Sequence, residues 1–285
     1  MPYGKKDGRR TACVSSQAGC AQGCVFCATG QMGFARQLTA DEIYEQAALA
    51  AASLRRKGER LSHVVMMGQG EPLANYRNVL AAVRRMHDEL GISYRRITIS
   101  TVGLAPNILK LADEGLPITL AVSLHQTTDA ARSELMPVNR RFPIASVLDA
   151  ANTYHDRTGR RISFEWALIA GENDNKRTAR ELGKLLVAAG LKGKCHVNVI
   201  PLNPTAGFDG AATRKADVGV FCTTLEEEFR VPATPRMRRG QEIDAGCGQL
   251  TTEIARERRE EEMVDGAEKT FEAAVGSAGT PSGSL

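Results

Sequence analysis

The sequence predicts an α/β fold built on a parallel sheet, most simply a partial (β/α)6 TIM-like barrel. Short runs rich in β-branched residues alternate with amphipathic stretches of helical period, six of each. Parallel strands need crossover helices, and such a series of repeats places those helices outside the sheet. A length of 285 residues suits one such barrel with a terminal extension.

The predicted strands are residues 11–16, 63–67, 96–100, 118–123, 162–169 and 196–200. The predicted helices are residues 40–57, 75–90, 106–114, 146–157, 176–189 and 214–230. Asp41 and Glu42 complement the dipole at the start of the first helix, Asn75 can cap the second, and Pro106 suits a first turn. Active sites of such sheets lie in the loops after the strands, so we look for chemistry there.

Charge is distributed unevenly along the chain. The net charge is +4, but residues 252–285 hold eight acidic and four basic side chains, which leaves +8 for residues 1–251. This excess favours contact with phosphates only weakly, since solvated surface charge explains it equally well. We predict a core domain over residues 1–251 and a charged, then low-complexity tail over residues 252–285 that is partly disordered. With a mean hydropathy of −0.25 and no long apolar run, the sequence predicts neither a membrane span nor a signal peptide.

Cys20, Cys24 and Cys27 form a C-x3-C-x2-C triplet in the loop after the first predicted strand. A structural zinc site needs four protein ligands, and no fourth Cys or His lies at zinc-ribbon spacing. Three thiolates suit a 4Fe-4S cluster with one iron left open for a small chelating ligand, and Gly19 and Gly23 let the backbone approach it. The alternative is three unrelated cysteines in one loop.

Four separated motifs add to the triplet and its preceding aromatic, Phe26. They are residues 13–20 (CVSSQAGC), 64–72 (VVMMGQGEP), 123–125 (SLH) and 244–250 (DAGCGQL). Together they resemble, in order and from about residue 10 to 251, the RlmN/Cfr family of radical S-adenosyl-L-methionine (AdoMet) RNA methyltransferases. The resemblance implies a 4Fe-4S cluster held by the three cysteines and AdoMet bound to its open iron.

The resemblance also implies which residues contact AdoMet. They are Phe26, Gly70, Glu71, Ser100, Ser123, Leu124, His125 and Asn203. In the family, the Gly70-Glu71 edge receives the ammonium group, the residues after the third and fourth strands hold the ribose and carboxylate, and Asn203 bonds the adenine. Without the resemblance, each would be read as a turn or a strand-end cap.

Two further cysteines take catalytic roles by resemblance. Cys247, between two glycines, first accepts a methyl group from one AdoMet; a radical from a second AdoMet then activates it for addition to an electron-poor adenine carbon. Cys13 serves in proton removal and in resolving the adduct, which leaves a Cys13–Cys247 disulfide that must be reduced. Taken alone, each would be read as an inert thiol. Cys195 and Cys222 are predicted to be small core side chains.

The substrate implied is C2 of an adenosine in large-subunit rRNA and, in some members, of a tRNA adenosine beside the anticodon. The implied partners are an electron donor such as flavodoxin or ferredoxin and a thiol reductant. We expect a monomer without membrane contact, in the cytoplasm, with a plastid or another organelle as the alternative.

Family members carry an N-terminal helical accessory domain and a glutamate that would precede residue 1. We therefore expect a sequence without that domain, as a fragment, an internal start or a compact variant. Val102 stands where a serine is common. Two rival hypotheses stay open: a C8-adenine methyltransferase or another radical AdoMet enzyme, and a truncated remnant that binds the cluster and AdoMet without turnover.

Overall fold

A computed structural model describes residues 2–3, 8–236 and 248–250, and its architecture is the predicted partial barrel. Within those residues, seven parallel strands form one curled sheet in the order β2-β5-β6-β7-β8-β9-β10, and the short antiparallel β1 pairs with β2. The strands are β1 Pro2–Tyr3, β2 Arg9–Cys13, β3 Gln17–Gly19, β4 Phe34–Gln37, β5 His63–Met66, β6 Ile97–Thr101, β7 Thr119–Ser123, β8 Ile162–Leu168, β9 Cys195–Pro201 and β10 Ala233–Pro235.

Helices connect successive parallel strands, and each strand lies beside the next one in sequence. The helices are α1 Ala28–Gln31, α2 Ala40–Arg55, α3 Tyr76–Asp88, α4 Ala105–Asp113, α5 Asp129–Leu135, α6 Ile144–Thr158, α7 Lys176–Ala188 and α8 Lys215–Phe229. A constant right-handed crossover places the connecting helices α2, α3, α4, α6, α7 and α8 on the outer face and curls the sheet.

The two faces of the sheet differ in polarity. On β6, Ile97 and Ile99 are fully buried in the core, whereas Thr98 and Ser100 alternate with them and line cavities. β8 is buried along its whole length, and its Trp166 packs 5.9 Å from the ring of Phe221 on α8. The apolar core therefore lies between sheet and helices, and the concave face is left for polar side chains.

The predicted strands and helices are confirmed with end shifts of a few residues, but some elements were missed. The sequence did not reveal β10, the antiparallel hairpin β3–β4, or the short helices α1 and α5. β10 is three residues long and ends in Pro235, which an edge strand tolerates because no further neighbour needs its missing N–H. Short elements carry too few residues to show a period.

The predicted cap at Asn75 is wrong. Its side chain makes no cap bond; Nδ2 donates to the carbonyl oxygens of Ser16 at 2.8 Å and Leu38 at 2.7 Å. Asn75 thus ties the start of α3 to the β3–β4 hairpin. At α2, Thr39 and Glu42 form a capping box, with Asp41 in the first turn as expected.

The predicted tail over residues 252–285 lies outside the described residues, so the domain boundary at residue 251 stays a prediction. In the part of the chain that is described, no helix has the length and apolar character needed to cross a membrane.

Candidate active site

One cavity lies where the predicted loops converge, at the carboxyl ends of the strands. We call it the upper cavity. Ten of the predicted site residues line it: Cys20, Cys24, Phe26, Cys27, Gly70, Glu71, Ser100, Ser123, His125 and Asn203. Leu124 does not line it: its side chain is fully buried in the core, and its amide donates to the carbonyl oxygen of Glu165.

The hairpin β3–β4 holds the cysteine loop at its two ends. The amide of Cys20 donates to the carbonyl oxygen of Gly33 at 2.8 Å, which closes the base of the loop. Gly19 has a φ of +74°, and a Cβ there would overlap that same carbonyl oxygen. Only glycine fits this position, so the glycine before the first cysteine serves the loop geometry.

The three thiols are crowded in a desolvated place. Burial raises the pKa of Cys24, and the neighbouring thiolates of Cys27 and Cys20 raise it further. Burial likewise raises the pKa of Cys20 to about 11. Three thiolates here therefore require a cation to neutralise them.

The donor set fits an iron–sulfur cluster. Among the described residues, no three His, Cys, Asp or Glu side chains are arranged to hold a single metal ion. In a cubane cluster each thiolate binds a different iron, so the ligands stand further apart than around one ion. The three thiols share one cavity and one glycine-bearing loop, and they fit such a cluster.

Glu71 is buried and its carboxylate is already engaged. Oε1 accepts the Leu73 amide at 2.9 Å and Oε2 the Val102 amide at 2.8 Å, while its own amide donates to Gln17 Oε1. Burial raises the pKa of Glu71 to about 7 although these amides lower it. The structure shows a fixed, largely desolvated carboxylate, at which a cation would strongly favour the ionised form.

His125 follows β7 in a left-handed conformation, with φ of +61°. Its Nδ1 accepts the amide of Ala167 at 2.9 Å, which leaves Nε2 to carry the proton. Burial, with the nearby charge of Arg132, lowers the pKa of His125 to about 3, so the ring is a neutral donor. Phe26 packs against it edge to face at 4.9 Å.

Arg132, on α5, is the main residue that the sequence analysis missed. It is fully buried, and its guanidinium donates to the carbonyl oxygens of Val102 (2.6 Å), Ser123 (2.9 Å) and Leu124 (3.1 Å). Burial lowers its pKa to about 10, which keeps it charged at neutral pH. No local motif surrounds it, so only its complete burial reveals its role.

Cys13, at the end of β2, does not line the upper cavity. By strand alternation, Cys13 lies on the inner face of β2, on the same side as Arg9 and Thr11. It is exposed to solvent there. Desolvation raises its pKa, while the backbone of Met67 and the charge of Arg236 lower it.

Cys247 lies outside the described residues. The residues that follow it in sequence are described: Gly248 and Leu250 line the upper cavity. The carbonyl oxygen of Gly248 accepts the Ala28 amide, and that of Leu250 accepts the Thr29 hydroxyl, each at 2.7 Å.

Comparison with known proteins identifies the family. The family model described as the Radical SAM superfamily matches residues 14–182. Dual-specificity RNA methyltransferase RlmN 1 of Myxococcus xanthus is 52% identical over 254 residues, which cover 88% of this chain and 69% of that protein. A probable RlmN of Frankia casuarinae is 50% identical over 287 residues, covering 96% of this chain and 67% of that protein. The chain belongs to the RlmN family of radical SAM enzymes.

Solved structures agree with this membership. A radical SAM methyltransferase from Sphaerobacter thermophilus superposes with a TM-score of 0.82 at 46% identity, over 88% of this chain and 72% of that one. The FeFe-hydrogenase maturase HydG from Carboxydothermus hydrogenoformans shares the fold, with a TM-score of 0.60 at 14% identity over 86% of this chain and 59% of that one. The family resemblance carried by the motifs and the partial barrel predicted from the alternating strand and helix patterns are both confirmed.

Replacing the buried guanidinium should destabilise the fold. Arg132→Gln leaves carbonyl oxygens at the ends of β6 and β7 without their donors, and we expect the free energy of unfolding to fall by about 3–5 kcal/mol. Arg84→Gln, which breaks a half-exposed ion pair with Glu114, is the control and should cost below about 1 kcal/mol. Urea unfolding of both variants measures the difference, and equal losses would contradict the role given to Arg132.

Proposed function

We propose that this chain methylates C2 of an adenosine in large-subunit rRNA, and of a tRNA adenosine as a second substrate, through an S-methylcysteine at Cys247. The observation that carries the proposal is the convergence of the cysteine triplet, Glu71 and His125 on one cavity in a member of the RlmN family. The named relatives are dual-specificity RNA methyltransferases, which supports RNA as the substrate.

Cys20, Cys24 and Cys27 would each bind one iron of a 4Fe-4S cluster and leave the fourth iron to AdoMet. When bound, the cluster supplies the electron that splits AdoMet into methionine and a 5′-deoxyadenosyl radical. Glu71 would accept the AdoMet ammonium group, because its carboxylate and the adjacent loop are fixed by backbone bonds. Pre-set acceptors of this kind bind a cation without reorganisation.

The remaining cavity side chains would position the rest of AdoMet. Ser100 and Ser123 offer hydroxyls, and His125 offers an Nε2–H donor whose ring is fixed by Ala167 and Phe26. Asn203 would bond the adenine. The side chain of Leu124 lies in the core, so it would not contact AdoMet. Leu124 only links Ser123 and His125 in the sequence.

Two thiols answer a chemical difficulty of the substrate. C2 of adenine lies between two ring nitrogens and is too electron-poor to attack an electrophilic methyl group. Cys247 would take the methyl group by polar transfer and deliver it as a carbon radical, and Cys13 would remove the proton and resolve the thioether link. The resulting Cys13–Cys247 disulfide needs a thiol reductant, and the cluster needs flavodoxin or ferredoxin, which favours a reducing cytoplasm.

The RNA must present its base out of the stack. A flipped or single-stranded adenosine can enter a cavity inside a barrel, whereas a stacked one cannot. The charge of +8 over residues 1–251 supports binding to the phosphates.

Cluster loading should depend on the triplet alone. After anaerobic loading with iron and sulfide, we expect about four irons per wild-type chain and less than about one in Cys20→Ala, Cys24→Ala or Cys27→Ala. Cys195→Ala is the matched control, because Cys195 is a buried core thiol and should leave loading intact. Iron and sulfide analysis with visible absorption measures the result; full loading of the triplet variants would reject the assignment.

Methyl transfer should depend on Cys247. We expect reconstituted wild type with AdoMet and reductant to methylate rRNA, Cys247→Ala to show at least about a 10³-fold loss, and Cys222→Ala to remain active. Chromatography and mass spectrometry of digested RNA separate C2 from C8 products. A C8 product, or AdoMet cleavage by wild type without methylated RNA, would contradict the proposal.

AdoMet affinity should follow the ionisation of Glu71. Its pKa is raised to about 7, and the ammonium group favours the ionised carboxylate, so the affinity should rise with pH and level off above that value. Below it the Kd should increase about tenfold per pH unit. Equilibrium dialysis between about pH 6 and 8.5 measures this, and Glu71→Gln should bind weakly without that pH dependence. A flat wild-type profile would remove Glu71 from the ammonium site.

A further inference from the structure

A second cavity occupies the interior of the barrel beneath the upper cavity, and we call it the lumen. Its lining is mostly polar and includes Thr98, Ser163, Glu165, Asn198 and Arg236. Met67, Glu165 and Arg236 line both cavities. They form the junction through which the two spaces meet.

Glu165, in the middle of β8, has one engaged oxygen and one available oxygen. Oε1 accepts the Ser163 hydroxyl at 2.7 Å and the Asn198 amide at 2.9 Å. In the described part of the chain, Oε2 has a single recorded polar contact, with Arg236 Nη1 at 3.4 Å. The side chain is 5% exposed, so a buried carboxylate keeps a lone pair for a ligand in the cavity.

A buried carboxylate of this kind is costly to desolvate, and only part of that cost is offset by the Arg236 guanidinium at 3.4 Å. The neighbouring strands carry hydroxyls and an amide that hold Oε1 in one orientation. This arrangement directs Oε2 to the junction and suits the recognition of a donor group.

The proposed chemistry places the substrate base at the same junction. The base must be reached from above by the radical derived from AdoMet in the upper cavity. It must also be reached from the side by Cys13, which lies on the inner face of β2 and feels the charge of Arg236. Met67 and Arg236, whose backbone and charge act on the Cys13 thiol, border the junction together with Glu165, so we take the junction as the place of the base.

We propose that Glu165 determines base specificity by accepting a hydrogen bond from the exocyclic amine of the target adenine. This inference rests on the proposed function. The amine is the donor that separates adenine from guanine and hypoxanthine, whose carbonyl oxygen at that position would face a carboxylate oxygen. Adenine C2 is not bonded to that amine and stays free for the thiols.

The test compares two RNAs that differ in one atom group. The full-length chain, loaded with iron and sulfide, receives an rRNA fragment whose target nucleoside is adenosine or purine riboside, which lacks the amine and keeps C2. We expect wild type to prefer adenosine by roughly 10- to 100-fold in kcat/KM, because a charged acceptor loses its partner in the analogue. Glu165→Ala should bring the ratio close to one, and Glu165→Gln, which retains an acceptor oxygen, should be intermediate.

Thr98→Val is the matched control, since Thr98 lines the lumen away from the junction and should preserve the preference. Cluster content and thermal unfolding establish that each variant is folded, and if Glu165→Ala is not, the Glu165→Gln ratio decides. If Glu165→Ala keeps the wild-type ratio of kcat/KM for adenosine over purine riboside, the inference is overturned. An unchanged ratio with weakened AdoMet binding assigns Glu165 instead to the AdoMet ribose, near its register partner Ser123, and also overturns it. A wild type that methylates neither RNA overturns the proposed function itself.

Discussion

One buried guanidinium holds the wall of the active site in place. The last carbonyl oxygens of parallel strands have no partner within their own ladder, and at the ends of β6 and β7 they face a fully buried side chain instead of water. Arg132 donates to Val102, Ser123 and Leu124 at once, so that the two strand ends keep a fixed separation. Ser100 and His125, predicted ligands on those strands, depend on that separation.

The outward position of the apolar core explains why the lining of the lumen is polar. A closed barrel fills its interior with apolar side chains, whereas this open sheet turns its apolar residues outward to the helices. The inner face of β6 carries Thr98 and Ser100, and that of β8 carries Ser163 and Glu165. The polar side chains of the concave face therefore displace no apolar side chain from the core, and they supply both cavities with hydrogen-bond donors and acceptors.

Sequence reasoning succeeded where the information is local. The alternating strand and helix patterns predict the barrel, and the C-x3-C-x2-C spacing marks Cys20, Cys24 and Cys27 as candidate cluster ligands. Arg132 and Glu165 could not be found in this way, since their roles depend on partners from other elements, such as Val102 for Arg132 and Asn198 for Glu165, each at least 30 residues away in sequence. Asn75 shows the converse error: a residue that could cap its helix instead donates to the distant carbonyl oxygens of Ser16 and Leu38, which flank the hairpin.

Hydrogen bonds also connect the residues after the cysteine triplet with the residues that follow Cys247 in sequence. Ala28 and Thr29 directly follow the last cysteine of the triplet, and they bond the carbonyl oxygens of Gly248 and Leu250 across a separation of more than 200 residues. Gly248 in turn follows Cys247. A loop ordered by three bound irons would therefore present an ordered partner to the residues after Cys247. Under the proposed function, cluster binding and the ordering of residues 248–250 would then be linked through these shared backbone bonds, because free energy gained by ordering one side is available to the other.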